Sequence, residues 1–118
     1  MSSELPPQIQ NQVAQLQQIQ QQAQALAAQK NQVEINLKET ELALAEIEKL
    51  DDSAVVYRAI GDLLIKTERE KTKNVLVEKK DMLGLRAETI TRQEERIQKR
   101  FQQLQEQLKQ AIGTPAAK

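Results

Sequence analysis

Ala54-Val55-Val56-Tyr57-Arg58-Ala59-Ile60-Gly61-Asp62-Leu63-Leu64-Ile65-Lys66-Thr67 is the stretch on which the fold turns. Two short runs rich in β-branched and aromatic residues flank Gly61-Asp62, a glycine-first pair suited to a type I′ or II′ hairpin turn. A continuous helix through 63–66 is the alternative that so short an apolar run leaves open. Read as a hairpin, the segment carries apolar side chains on both faces: Val55 and Tyr57, Val56 and Ile60, Leu63 and Ile65, and Leu64. An isolated two-stranded hairpin is marginal in water, and its unpaired edges invite strands from another chain. The hairpin therefore predicts oligomerisation through this segment.

On either side of it the apolar residues change period. Upstream, alternating steps of three and four residues run through Ile9, Gln12, Leu16, Ile19, Ala23, Leu26, Lys30, Val33, Leu37, Thr40, Leu44 and Ile47. A mean spacing of 3.5 residues keeps one seam facing a partner helix in a left-handed supercoil. Only Gln12, Lys30 and Thr40 interrupt it. Pro6-Pro7 suits the start of this helix, and Asp51-Asp52-Ser53 suits its end. Downstream, a second seam runs Leu76, Lys80, Leu83, Ala87, Ile90, Glu94, Ile97, Phe101, Leu104, Leu108 and Ala111, and Gly113 with Pro115 supplies the stop signal. The expected elements are a helix over about 8–50, a β-hairpin over about 55–67, a second helix over about 70–112, and a disordered tail at 113–118, all in a single domain.

The two helices match in length, each on the order of 60 Å at 1.5 Å per residue. A short bend between matched helices predicts that they fold back on each other as an antiparallel coiled coil. The acids near the end of the first (Glu39, Glu41, Glu46, Glu48, Asp51, Asp52) would then meet Lys71, Lys73, Lys79 and Lys80 at the start of the second. The same pairing places Lys30 opposite Glu94, so two interruptions of the seam are expected to meet. Ile35, Leu42, Val75, Val77, Met82 and Leu85 lie off the seam near the bend, more apolar surface than two helices need. Gly84 stands inside the second helix, where glycine costs about 1 kcal/mol relative to alanine, and the sequence offers no reason for it.

Composition narrows the function classes. Of 118 residues, 29% are charged and 2% aromatic, with Lys+Arg equal to Asp+Glu. This is the makeup of long helices, and its balanced charge gives no general attraction to nucleic acid or anionic membrane. Arg86, Arg92, Arg96, Lys99 and Arg100 form a basic stretch, but almost no aromatics accompany it for base stacking, so no nucleic-acid partner is expected. No apolar run approaches the roughly 20 residues that span a bilayer, and the first residues lack a signal peptide's basic and apolar regions. With no Cys, neither a disulfide framework nor a zinc-thiolate site is available, which fits a reducing compartment. His is absent as well, so the commonest general base and the strongest nucleophile are both missing. No phosphate-loop motif occurs, and Asp51, Asp52 and Asp62 are better read as turn residues than as a cation site. A non-enzymatic protein without cofactor or metal is expected; a structural coiled-coil spacer or stalk is one reading.

A coiled-coil hairpin with Val56-Tyr57-Arg58-Ala59-Ile60-Gly61-Asp62-Leu63-Leu64-Ile65-Lys66 at its bend resembles the prefoldin family, over the whole chain. The hairpin segment is the specific part of the resemblance. Room for one hairpin rather than two points to the β class, and the unadorned termini look archaeal. The resemblance implies a cytoplasmic hexamer of two α-class and four β-class subunits, whose strands join in an intersubunit β-barrel. It also implies an ATP-independent chaperone (a holdase) that captures unfolded polypeptides with the tips of its coiled coils and delivers them to a group II chaperonin. In such an assembly Val55, Val56, Tyr57, Ile60, Leu63, Leu64 and Ile65 would serve subunit assembly. The client-binding candidates at the helix ends are Ile9, Val13, Leu16 and Ile19 with Phe101, Leu104, Leu108 and Ile112. Val13 and Ile112 lie off the strict seam and are expected to be exposed even in a closed coiled coil. The glutamine-rich surface of the first helix (Gln15, Gln17, Gln18, Gln20, Gln21, Gln22, Gln24) reads either as an adaptable client surface or as solvated helix.

Overall fold

The computed structural model describes residues 5–113. Helix α1 spans Pro7–Glu48, strand β1 Val56–Ile60, strand β2 Leu63–Thr67 and helix α2 Arg69–Gly113. The expected tail at 114–118 lies outside the described residues, while Gly113 is the last residue of α2.

Each helix boundary has a local cause. Pro7 opens α1 at the position where a missing N–H costs nothing, and the Pro6 carbonyl accepts the Gln10 N–H at 3.0 Å. At the other end, the N–H groups of Lys49 and Leu50 reach back three residues to the carbonyls of Glu46 and Ile47. That tightening is why α1 stops at Glu48 rather than continuing to 50. Ser53 then donates its N–H and its hydroxyl to Asp51 Oδ1, at 3.0 and 2.7 Å. The hydroxyl bond above all, with the backbone bond beside it, holds the Asp51 carboxyl below its ordinary value of 3.8.

The hairpin pairs Val56 with Thr67, Tyr57 with Lys66, Arg58 with Ile65, Ala59 with Leu64 and Ile60 with Leu63. Gly61 and Asp62 form its two-residue turn. Gly61 sits at φ +57, and no described non-glycine residue has a positive φ. One positive φ, at the first turn position, is the type II′ arrangement, and it explains why glycine stands first.

The helices form two compact units with the hairpin. One contains the described residues up to Lys30 and from Ile90 onward; the other is Asn31–Thr89. In the second unit Glu41 meets Lys80 and Ile47 meets Arg69, so numbers rising along α1 match numbers falling along α2. In the first, a groove brings Gln8 and Gln12 beside Gln107, Gln110 and Ala111, and another brings Gln22 beside Ile97. Both patterns are antiparallel. All twelve seam positions anticipated on α1 are buried or half-buried; on α2 only Lys80 and Ala111 are exposed instead. The largest share of shielding falls on Ile9, Ile19, Val33, Leu44, Ile47, Ile90 and Leu104, and among the described residues no side chain is wholly enclosed. That is what a two-helix seam allows, since each residue is covered from one side only.

The polar breaks in the seam are handled differently. Thr40 is only 3% exposed, and its hydroxyl donates to the Asn36 carbonyl at 2.8 Å, so it needs nothing from α2. Lys30 Nζ donates to Glu94 Oε1 at 3.1 Å, the expected meeting of the two interruptions. Both partners are about one-third exposed, which moderates the attraction. Gln12 Oε1 is buried with no hydrogen-bond partner among the described residues. Gly84 has nothing within 4 Å of where a Cβ would stand, so nothing in the chain's own packing explains it.

A Lys30→Glu change should destabilise the coiled coil by up to about 1 kcal/mol, and adding Glu94→Lys should recover most of that loss. A double-mutant cycle in thermal melts checks this, and plain additivity of the two changes would contradict the pairing.

Candidate functional site

Two surfaces could do work beyond holding the chain together, the hairpin and the helix ends. Alternation along the strands divides the hairpin into two faces. Val56, Arg58, Ile60, Leu63, Ile65 and Thr67 share one; Tyr57, Ala59, Leu64 and Lys66 share the other. Neither face is covered. Tyr57 is 58% exposed, Ile60 49%, Leu63 64%, Leu64 72% and Ile65 44%. Val56 is half-buried, and Val55, anticipated within the strand, lies one residue before β1 and is exposed. The off-seam residues near the bend, Ile35, Leu42, Val75, Val77, Met82 and Leu85, are also exposed. An apolar surface of this extent normally marks an interaction site.

At the helix ends the picture is mixed. Ile9, Ile19 and Leu104 are buried in the seam, and Leu16, Phe101 and Leu108 are half-buried. Ile112 is 61% exposed, as its off-seam position predicts. Val13 departs from expectation: it is half-buried, because a residue flanking the seam is partly shielded by the facing helix. The unsatisfied Gln12 acceptor lies in this region, beside Gln8, Gln107, Gln110 and Ala111. Leaving such an acceptor buried costs about 1–3 kcal/mol and weakens the seam where it is shortest of support.

Arg69 carries no signal in the periodic pattern, yet it is central to the bend. Its Nε donates to the Ile47 carbonyl at 3.1 Å, capping the end of α1 from the first residue of α2. Its Nη1 lies 3.3 Å from Asp52 Oδ1 and 3.4 Å from Glu70 Oε2. With the guanidinium side chain only 13% exposed, this is the best-shielded ion-pair member near the bend. A cation at a helix C-terminus gives a terminal carbonyl, which here already accepts the Leu50 N–H, a second donor and meets the negative end of the dipole. The available signal was a single arginine opening the second helix, opposite an acidic helix end. Asp51, for its part, is engaged by Ser53 in a turn. Among the described residues no three His, Cys, Asp or Glu side chains are grouped to hold a metal ion, and no helix is long and apolar enough to cross a membrane.

Comparison with known proteins gives this architecture a family. The model of the family described as "Prefoldin subunit" matches residues 10–114. The chain belongs to the prefoldin subunit family. Within it the chain is of the β class with archaeal relatives: it is 66% identical over 114 residues to a prefoldin subunit beta of Methanococcoides burtonii, covering 97% of each chain. It is 40% identical over 113 residues to the prefoldin subunit beta of Pyrococcus furiosus, covering 96% of this chain and 97% of that one. The crystal structure of the prefoldin beta subunit from Thermococcus strain KS-1 superimposes with a TM-score of 0.86 at 38% identity, covering 97% of this chain and 100% of that one. Two long helices joined by one antiparallel hairpin are thus the fold of a solved family member. The family is one of chaperone subunits rather than enzymes, so a prefoldin-type chaperone role and assembly with other prefoldin subunits go with membership.

Arg69→Ala should lower thermal stability by about 1.5–3 kcal/mol, the range for a hydrogen bond to a charged group. Arg69→Lys should recover little, because a compact ammonium cannot reproduce the fork that reaches carbonyl and carboxylates together. Thermal melts of the two variants check this; full recovery by lysine would show that charge alone matters.

Proposed function

We propose that the chain is a subunit of an ATP-independent holdase, acting in the cytoplasm, which captures unfolded polypeptides at its helix ends and delivers them to a group II chaperonin. In this reading two α-class subunits assemble with four copies of this chain, and their hairpins join in an intersubunit β-barrel. The observation that carries the proposal is the hairpin, whose exposed Tyr57, Ile60, Leu63, Leu64 and Ile65 have no cover within the chain. Burying each against a neighbouring strand is worth about 1.5–3 kcal/mol, enough in aggregate to hold an assembly through this element alone.

Client capture asks something different of the other end. Ile112 and, in part, Val13 offer apolar surface as they stand, whereas Ile9, Leu16, Ile19, Phe101, Leu104 and Leu108 become available only when the seam opens. The unpaired Gln12 acceptor favours such opening near the helix ends. Weak contacts repeated over several subunits then sum by avidity, without a tight single site. The buried Ile9, Ile19 and Leu104 favour a second reading, a closed structural spacer that suppresses no aggregation.

Replacing Ile60 and Leu64, one on each face of the hairpin, with Asp should yield dissociated but helical chains by light scattering and circular dichroism. An intact assembly would remove the hairpin as its joint. Val13→Ser with Ile112→Ser should leave assembly intact and reduce suppression of client aggregation severalfold, read by turbidity with a denatured client. If the unmodified complex suppresses no aggregation, the spacer reading stands instead.

A further inference from the structure

The hairpin face that carries Val56, Ile60, Leu63 and Ile65 also carries Arg58, opposite Ile65 and in the middle of that apolar row. Arg58 and Thr67 extend this face into a groove of about 350 Å³ against the start of α2, lined further by Lys71, Thr72, Val75, Leu76 and Lys79. Three cations line it and no acid does. Among the described residues Arg58, Lys71 and Lys79 belong to no ion pair, although Lys30, Lys49, Arg69 and Lys80 each find one. Glu68 lines an adjoining hollow with Lys66, Thr67 and Lys71 and does not line this groove. The Thr72 hydroxyl donates to the Glu68 carbonyl, which leaves the Thr67 hydroxyl and the three cations as the groove's donors. Val75 and Leu76 add apolar surface beside them.

Cations crowded without a counter-charge repel one another, and the arrangement is tolerable in the isolated chain because water reaches it. Assembly changes that. If the apolar row is covered by a neighbour, as the proposed function requires, Arg58 loses water with it, and a desolvated guanidinium needs a carboxylate. We infer that the groove of Arg58, Lys71 and Lys79 is a docking site for an acidic side chain of a neighbouring prefoldin subunit, seated where the apolar hairpin face continues into the groove. The occupant's chemistry follows from the lining: a carboxylate for the three cations, on a short aliphatic stem that rests on Val75 and Leu76. A bidentate contact with Arg58 would then set the register of the neighbour, since strand pairing alone tolerates slippage.

The test uses the chain mixed with its α-class partner subunits. Arg58→Leu places an apolar residue in an apolar row. Were Arg58 only reaching for solvent, the change would leave assembly unchanged or strengthen it. With a carboxylate docked in the groove, the same change strands that charge, and half-assembly should require about tenfold or more higher concentration, by sedimentation or native mass spectrometry. Arg58→Lys should recover part of the loss, and Lys71→Leu with Lys79→Leu should weaken assembly in the same direction. Helicity and melting of each variant chain alone should match the unmodified chain, since the groove makes no ion pair within it. Assembly of Arg58→Leu at or below the unmodified concentration overturns the inference. That outcome is separable from failure of the proposed joint, which would show instead as assembly persisting in the Ile60→Asp, Leu64→Asp variant.

Discussion

Two strands of five residues joined by a two-residue turn satisfy each other along one edge and leave both faces and the outer edges open. The constraint shapes everything near the bend. Beside Arg58, Lys66 and Thr67, both faces carry Leu, Ile or Tyr in the open. Such a surface is stable only in company, so the chain's smallest element determines that it functions as a subunit. The type II′ turn contributes by fixing the register of the two strands, and with it which side chains share a face.

The coiled coil poses the complementary problem, since two helices can bury little more than a single strip. Its apolar residues are Ile, Val, Leu and Ala, each shielded from one side, and the polar residues within the strip show how much departure it bears. Thr40 turns back on its own helix, Lys30 meets Glu94, and Gln12 Oε1 has no hydrogen-bond partner among the described residues. The uncompensated break lies near the helix ends and the compensated ones farther along the seam. The seam thus bears a polar residue wherever a partner on its own or the facing helix is at hand.

Much of this was legible from spacing alone. A 3.5-residue period needs no tertiary context, so the register on α1 and the meeting of Lys30 with Glu94 follow from the residues directly. The Gly61-Asp62 pair was equally plain, because few residues adopt a positive φ. Arg69 was not legible: it lies outside the periodic pattern, and its role depends on where α1 stops, which is set by the three-residue hydrogen bonds of Lys49 and Leu50. The half-burial of Val13 was missed for a related reason, since flanking positions are shielded by the facing helix in a way that seam-or-surface reasoning does not grade. The groove at Arg58 escaped because it joins a strand to a helix whose side chains lie many residues away in the chain.

The Arg69 contact has one more consequence. It links the start of α2 to an α1 carbonyl 22 positions earlier in the sequence, so the two helices are fastened to each other at the bend. Residues 49–55 take part in this fastening through Asp52 rather than supplying it alone. A change in the length of that stretch that keeps Asp52 within reach would leave the Arg69 contacts in place. The hairpin is thus carried on a helix pair whose closure at the bend does not depend on it.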